Sequence, residues 1–175
     1  MADRDNHYEA AFEAYLREHA IAYVAVDEAR RALVADRSLK SVDFIVSAAN
    51  VRLLVDIKGR QFPAGRRKEY WRNWSTRDDL RSLAHWEQLF GPGFCGVFVF
   101  AYQIVGDRAP LPVEELFAYR ERLYGFVGIR LCHYAAHARL ISPKWDTVAI
   151  NSRDFRQLAA PISAFLQPEC VAAAR

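Results

Sequence analysis

The chain has 175 residues, 52% hydrophobic and 26% charged, which suits one globular domain and excludes an intrinsically disordered chain. Its formal net charge is only +3, and of its 24 basic residues only Lys40, Lys58, Lys68 and Lys144 are not Arg, so total charge assigns no partner. Cys95, Cys132 and Cys170 form no C-x-x-C pair, which argues against a zinc ribbon, while a polar N-terminus and the lack of a long apolar run argue for a cytoplasmic chain with no membrane partner.

The first periodic segment runs from Asp5 to Glu18, where Tyr8, Ala11, Phe12, Tyr15 and Leu16 follow the spacing of an amphipathic helix. Ala22 to Val26 and Val42 to Ser47 read as strands. So does Val51 to Lys58, whose alternation puts Val51, Leu53, Val55 and Ile57 on one face and Arg52, Leu54, Asp56, Lys58 and Arg60 on the other. Ala48, Ala49 and Asn50 suit a hairpin connection between these two strands. From Gly59 to Trp74 the periodicity disappears, and the segment reads as a long, mobile, basic loop punctuated by Gly59, Pro63 and Gly65. A helix is predicted from Ser75 or Thr76, with Leu80, Leu83, Trp86 and Phe90 inward and a stop at Gly91-Pro92-Gly93. Phe94 to Tyr102 has the content of a buried strand. Beyond it, Val113 to Tyr124 reads as a helix, and Phe126 to Tyr134, His137 to Ile141 and Thr147 to Ile150 read as strands. A terminal helix from about Asp154 to Leu166 is bent or split at Pro161. This order indicates α/β or α+β with a mixed central sheet.

The sharpest chemical feature is Asp56-Ile57-Lys58, since residues i and i+2 of a strand share a face and set a carboxylate beside an ammonium. A hard divalent cation such as Mg²⁺ takes one or two carboxylates plus water and substrate phosphate. An adjacent ammonium can orient the attacking water or neutralise phosphoryl charge. Hairpin pairing would bring Asp43 close to Asp56, giving two carboxylates able to share an ion. Glu9, at the border of the first helix's apolar stripe, is a candidate third acid, and Glu13 ranks after it. The competing interpretation of these groups is a surface ion pair and ordinary solvated carboxylates.

The window from Lys58 to Arg81 holds eight basic and three acidic residues, so the positive charge is concentrated just after Asp56 and Lys58. Arg60, Arg66, Arg67, Lys68 and Arg72 are candidate phosphate contacts, and Trp71 and Trp74 candidate stacking platforms for a base. Gln61 reads as a polar loop residue, Cys95 as a small core residue, and His7 as a helix-start residue. Strand alternation puts Cys132 and His133 on opposite faces, which makes His133 and His137 a structural pair rather than a metal site.

A helical Glu, a Val-Asp on one strand, an Asp-x-Lys on the next, then a helix ending in Phe90-Gly91 before an apolar strand resembles the PD-(D/E)xK nuclease superfamily. The order is closest to that of the archaeal Holliday junction resolvases. The opening His7-Tyr8-Glu9-Ala10-Ala11-Phe12-Glu13 also resembles the uncharacterised HYExAFE family. The resemblance spans roughly the first 102 residues, and Val42 stands where the superfamily's proline would be. It implies a restriction-endonuclease-like fold, α/β with a mixed central sheet flanked by helices. The whole chain would then be one domain, with 1–102 as its core and 103–175 as an extension packed on it. It further implies that Glu9, Asp43 and Asp56 bind Mg²⁺, with Mn²⁺ as a substitute, that Lys58 assists the nucleophilic water, and that the protein cleaves DNA, branched DNA included, as a homodimer. A non-catalytic nucleic-acid-binding domain or a protein-interaction domain on the same fold is the alternative.

Overall fold

The computed structural model describes residues 6–26, 32–34, 37–48 and 51–166; Ala49, Asn50 and Cys170 lie outside them. Helix α1 (His7–Glu18) is capped by the Asn6 side chain, which accepts from the Tyr8 amide, and it buries Ala11, Phe12, Tyr15 and Leu16. Strands β1 (Ala22–Ala25), β2 (Ala32–Val34), β3 (Arg37–Leu39), β4 (Phe44–Ala48) and β5 (Val51–Phe62) follow. A short strand, β6 (Ser75–Thr76), leads into α2 (Arg77–Phe90), and β7 (Phe94–Ile104) comes next. The remainder comprises β8 (Leu116–Tyr119), β9 (Arg122–Arg130), α3 (Leu131–His137), β10 (Arg139–Ser142), β11 (Thr147–Ala149), α4 (Ser152–Leu158), β12 (Ala160–Pro161) and α5 (Ile162–Leu166).

The central sheet runs β1-β4-β5-β7-β9-β12, with β8 also on β9. Only β5 and β7 are parallel, because α2 crosses between them; the other pairs are antiparallel. Both faces are covered. Phe12, Leu16, Phe165 and neighbouring side chains of α1 and α5 pack on Phe44, Leu53, Val55, Val97 and Val99. On the other face Leu83, Leu131, Tyr134 and Phe155 pack on Leu54, Phe98, Phe100 and Tyr102. The alternation of β5 is therefore real, but both of its faces are interior. A three-stranded sheet, β10-β11-β6, fixes the start of α2.

Several predicted elements differ. The segment from Gly59 to Trp74 is not one loop: β5 continues to Phe62 because Gly59–Phe62 pair with Ala101–Ile104 of β7. A basic turn closed between Ala64 and Glu69 follows, and then an irregular strap to Trp74. Val113 to Tyr124 is a single 3-10 turn, Val113–Glu115, followed by the β8–β9 hairpin. Its turn residues Arg120 and Glu121 have φ of 45° and 59°, conformations that Asn or Gly usually signal. The predicted strand Phe126 to Tyr134 ends at Arg130, and Leu131 and Tyr134 instead turn inward from α3. Cys132 and His133 are exposed on that helix, where His137 Nδ1 lies 3.0 Å from the His133 carbonyl oxygen. Pro161 splits the terminal helix into α4 and α5. Phe90, expected inward, is exposed at the helix end. No helix among the described residues is long and apolar enough to cross a membrane.

Candidate active site

The hairpin of β4 and β5 opens where the site forms. Phe44 opposite Val55 is the last strand pair, and the Asp43 amide donates to the Val55 carbonyl at 2.9 Å. From Asp56 onward β5 has no strand on that side among the described residues. The Ile57 amide that would otherwise be an open edge donor is taken by the Asp43 carboxylate. Residues from both faces of the sheet can meet at such an edge. Glu9 comes from α1 on one face, Asp56 and Lys58 point to the other, and Asp43 fills the gap. All four line one cavity of about 340 Å³, together with Asn6, Lys40, Ser41 and Asp79.

What brings Glu9 there is a close approach of helix to strand. A Cβ on Gly59 would lie 2.2 Å from the Tyr8 ring, so only glycine next to Lys58 lets α1 seat its first turn on β5. The Asn6 amide donates to the buried Glu9 carboxylate and fixes its direction. His7 is outside the cavity; its Nδ1 lies 2.8 Å from the Tyr124 hydroxyl. Burial, then the Arg122 charge, lowers the His7 pKa.

Lys58 is held between two carboxylates, 2.6 Å from Asp56 Oδ1 and 3.2 Å from Asp79 Oδ2. Burial alone would lower its pKa; Asp56, Asp79 and Asp43 overcome that and raise it, so the ammonium keeps its charge. Asp79 is the partner that sequence reasoning missed. Burial would raise its carboxyl, but Lys58, Lys40 and the Thr76 amide hold it well below the usual carboxylate range. Asp79 also accepts from the Thr76 amide at 2.8 Å in a capping box at the start of α2. The Thr76-x-x-Asp79 spacing is the sequence signal for this residue, and it points to a helix cap without placing Asp79 beside Lys58.

Lys40 is the second missed residue. One face of α2 grips it at successive turns: its ammonium lies 2.7 Å from Asp79, its amide donates to Ser82 at 3.1 Å, and its carbonyl accepts from the Trp86 indole at 2.8 Å. Ser82 is buried for this reason, and Trp86 has a polar task besides packing.

Among the described residues, the cavity lining holds four carboxylates and two ammonium groups. Oxygen donors are what a hard cation of the Mg²⁺ type prefers. Among the described residues no three His, Cys, Asp or Glu side chains are gathered closely enough to hold an ion by themselves. Mg²⁺ requires only one or two carboxylates, with water completing its shell, so the donor set fits it.

The basic segment splits into two parts. Arg66, Arg67 and Lys68 are exposed on the turn beyond the end of β5. Arg60 is not: its guanidinium donates to the Gly59 and Trp74 carbonyls and lies 3.9 Å over the Trp74 ring. Its buried Nε has no hydrogen-bond partner among the described residues. Trp71 packs its ring on Phe62, Tyr102 and Phe155, whereas Trp74 is 38% exposed. Arg72 pairs with Glu69 at 2.6 Å.

No protein-family model matches the sequence, and no curated protein matches it. Among solved structures, the chain is similar to Hjc, a Holliday junction resolvase of the archaeal hyperthermophile Archaeoglobus fulgidus, solved at 1.6 Å resolution. The similarity has a TM-score of 0.55 and covers 92% of this chain and 98% of the resolvase chain, at 12% sequence identity. It therefore extends past the first 102 residues that carry the sequence resemblance. The mixed α/β fold, a curled central sheet flanked by helices, is the resolvase-like nuclease fold expected from the sequence.

Proposed function

We propose that the protein is a divalent-metal-dependent nuclease that hydrolyses phosphodiester bonds of DNA, branched DNA included, in the cavity at the β5 edge. The observation that carries this is the convergence of Glu9, Asp43, Asp56 and Lys58 from three separate segments on one cavity. Likeness to a resolvase fold supports the choice of a branched substrate.

Asp43 and Asp56 would hold Mg²⁺, or Mn²⁺ in its place, with water completing its shell and Glu9 facing the same cavity. When bound, the ion supplies Lewis-acid polarisation of the phosphodiester and an acidified water. The chain's own groups do the rest. Lys58, kept cationic by its carboxylate neighbours, stands where it can orient the water and neutralise charge building on the phosphoryl oxygens. Asp56 is paired with Lys58, so its use as a ligand requires Lys58 to have another partner, and Asp79 is that partner. Lys40 balances the charge of Asp79. Arg66, Arg67 and Lys68 provide phosphate contacts along the flanking strand, while Arg60 and Trp71 are structural supports of the strap and Arg72 is paired with Glu69. The whole chain acts as one domain, because β9 and β12, from beyond Tyr102, belong to the same sheet as β5. The proposed assembly is a homodimer, since paired cuts need two sites.

Cleavage of junction, flap and duplex DNA in Mg²⁺ or Mn²⁺ tests the reading, beside calorimetric titration of the ion into wild type and Asp56→Ala. The expectation is cleavage and ion binding by wild type, and loss of both in Asp56→Ala. Binding of DNA with neither cleavage nor ion uptake would leave a non-catalytic nucleic-acid-binding domain instead. A mass of one 20.0 kDa chain in solution at full activity would remove the dimer.

A further inference from the structure

A second cavity, of about 430 Å³, lies between the strap and the end of β11, with Trp74, Arg72, Ile141 and Ile150 in its walls. The way the strap is built gives this cavity its interest. Four successive residues, Trp71 to Trp74, have no repetitive structure, yet their backbone is pinned from beneath. The Tyr102 hydroxyl donates to the Arg72 carbonyl at 2.9 Å and the Tyr134 hydroxyl to the Asn73 carbonyl at 2.6 Å. The buried Asn73 amide pairs with the Ile150 backbone in both directions, at 2.8 and 2.9 Å. Arg60 takes the Trp74 carbonyl. Trp71 is held at φ 58°, a conformation that a bulky aromatic residue rarely adopts. Burying three polar side chains and a left-handed tryptophan is unfavourable unless each is satisfied, and here all serve to fix one short segment. Its side chains are thereby presented at set positions.

What is presented suits a flat, uncharged ligand. Among the described residues of the cavity walls, the charged ones are Glu69 and Arg72, which neutralise each other at 2.6 Å, so these walls offer no net charge to a phosphate. Trp74 has the Arg60 guanidinium over one face of its ring and remains 38% exposed. An indole backed by a stacked cation and partly exposed in a cavity wall is an arrangement on which nucleobases stack. Arg60 sits two residues after Lys58 on the same face of β5, about 7 Å along the strand. The Trp74 platform is thus tied to the residue next in line from the candidate active site.

We propose that this cavity receives one unstacked nucleobase of the DNA strand being cut, stacked on Trp74, so that the enzyme prefers substrates with an unpaired nucleotide beside the scissile phosphate. The proposal rests on the nuclease reading and deepens it by naming the substrate feature that the site selects. A single-stranded flap, a gap or an open junction centre offers such a base at little expense, whereas intact duplex must first unstack it.

The test uses the full chain in EDTA, so that it reads binding without cleavage. The probes are two DNA duplexes of one sequence, one fully paired and one carrying a single unpaired 2-aminopurine whose fluorescence reports stacking. Wild type should bind the second more tightly and quench its fluorescence. Trp74→Ala should abolish the quenching and lose about tenfold more affinity for the unpaired-base duplex than for the paired one, and Trp74→Phe should restore much of both. Equal affinity losses on the two duplexes, or quenching that persists in Trp74→Ala, would overturn the proposal. Cleavage without any Trp74 effect would refute the base pocket and leave the nuclease reading intact. If wild type binds neither duplex, both fail. A thermal melt of Trp74→Ala matching wild type ensures that the losses are not those of a misfolded strap.

Discussion

The two cavities hold their walls by opposite means. In the first, side chains fix one another through charge: Lys58 lies between Asp56 and Asp79, and Asp79 between Lys58 and Lys40. In the second, buried Tyr102, Tyr134 and Asn73 grip the main chain, and the displayed side chains are left out of the arrangement. A buried ionic network responds as a unit when a member is lost, because each removal strands its partners. A pinned strap lets its outer side chains change without unfolding. Substitutions should therefore affect stability and chemistry together at the first cavity, and binding alone at the second.

The largest effect is expected at Lys58. Lys58→Ala leaves Asp56 and Asp79 facing each other without the cation between them, which should lower stability by about 3 kcal/mol in urea denaturation. In the same protein, cleavage should fall by roughly a hundredfold or more. Wild-type stability in Lys58→Ala would break the idea that these charges form one network.

Asp79 sharpens the comparison through pH. Its folded pKa lies below the ordinary 3.8, so its stabilising contribution is present above that value and is lost as pH falls through the folded pKa. Lys58 is shifted the other way, above 10.5, so its contribution stays intact until pH rises past that range. Asp79→Asn should be about 2 kcal/mol less stable than wild type at pH 7, from the lost ion pairs and a weakened cap. The gap should close on acidification below pH 3.8, with no change between pH 6 and 9. A gap that is constant down to pH 2.5 would assign Asp79 to capping alone.

A smaller effect is expected where α1 meets β5. Gly59→Ala places a methyl group against the Tyr8 ring and should cost about 1–3 kcal/mol, with Glu9 displaced along with its helix turn. Tyr8→Ala should relieve the clash, so that the double variant is more stable than Gly59→Ala alone. Additive losses would place the strain elsewhere.

The same comparison explains what the sequence disclosed. Helix α1, the strands around Asp43 and Asp56, and the α2–β7 unit were legible because hydrophobic periodicity and caps are local signals. Asp79 and Lys40 were not placed in the site, because their roles come from α2 lying over β5, a contact between segments 21 residues apart at Lys58 and Asp79. The strap was legible only as a basic loop with tryptophans, since the hydroxyl groups that pin it come from Tyr102 and Tyr134 on later elements. The β8–β9 hairpin was hidden because Arg120-Glu121 forms its turn without Asn or Gly.

The smallest structural effect, and the cleanest contrast with Lys58, is expected at the basic turn. Arg66, Arg67 and Lys68 are exposed, and the turn that carries them is closed by backbone hydrogen bonds between Ala64 and Glu69, at 2.7 and 2.9 Å, which replacing the three side chains leaves in place. The triple alanine variant should match wild-type stability within about 0.5 kcal/mol. Its binding should nonetheless weaken most at low salt. Each phosphate contact removed lowers the slope of log affinity against log salt by about 0.9 on duplex DNA, so the full loss would be about 2.7. Preference for an unpaired base should survive the change, because it belongs to Trp74 and not to the turn. If the slope stays at its wild-type value, the phosphate contacts lie elsewhere on the molecule, and the basic turn is only a solvated end of β5.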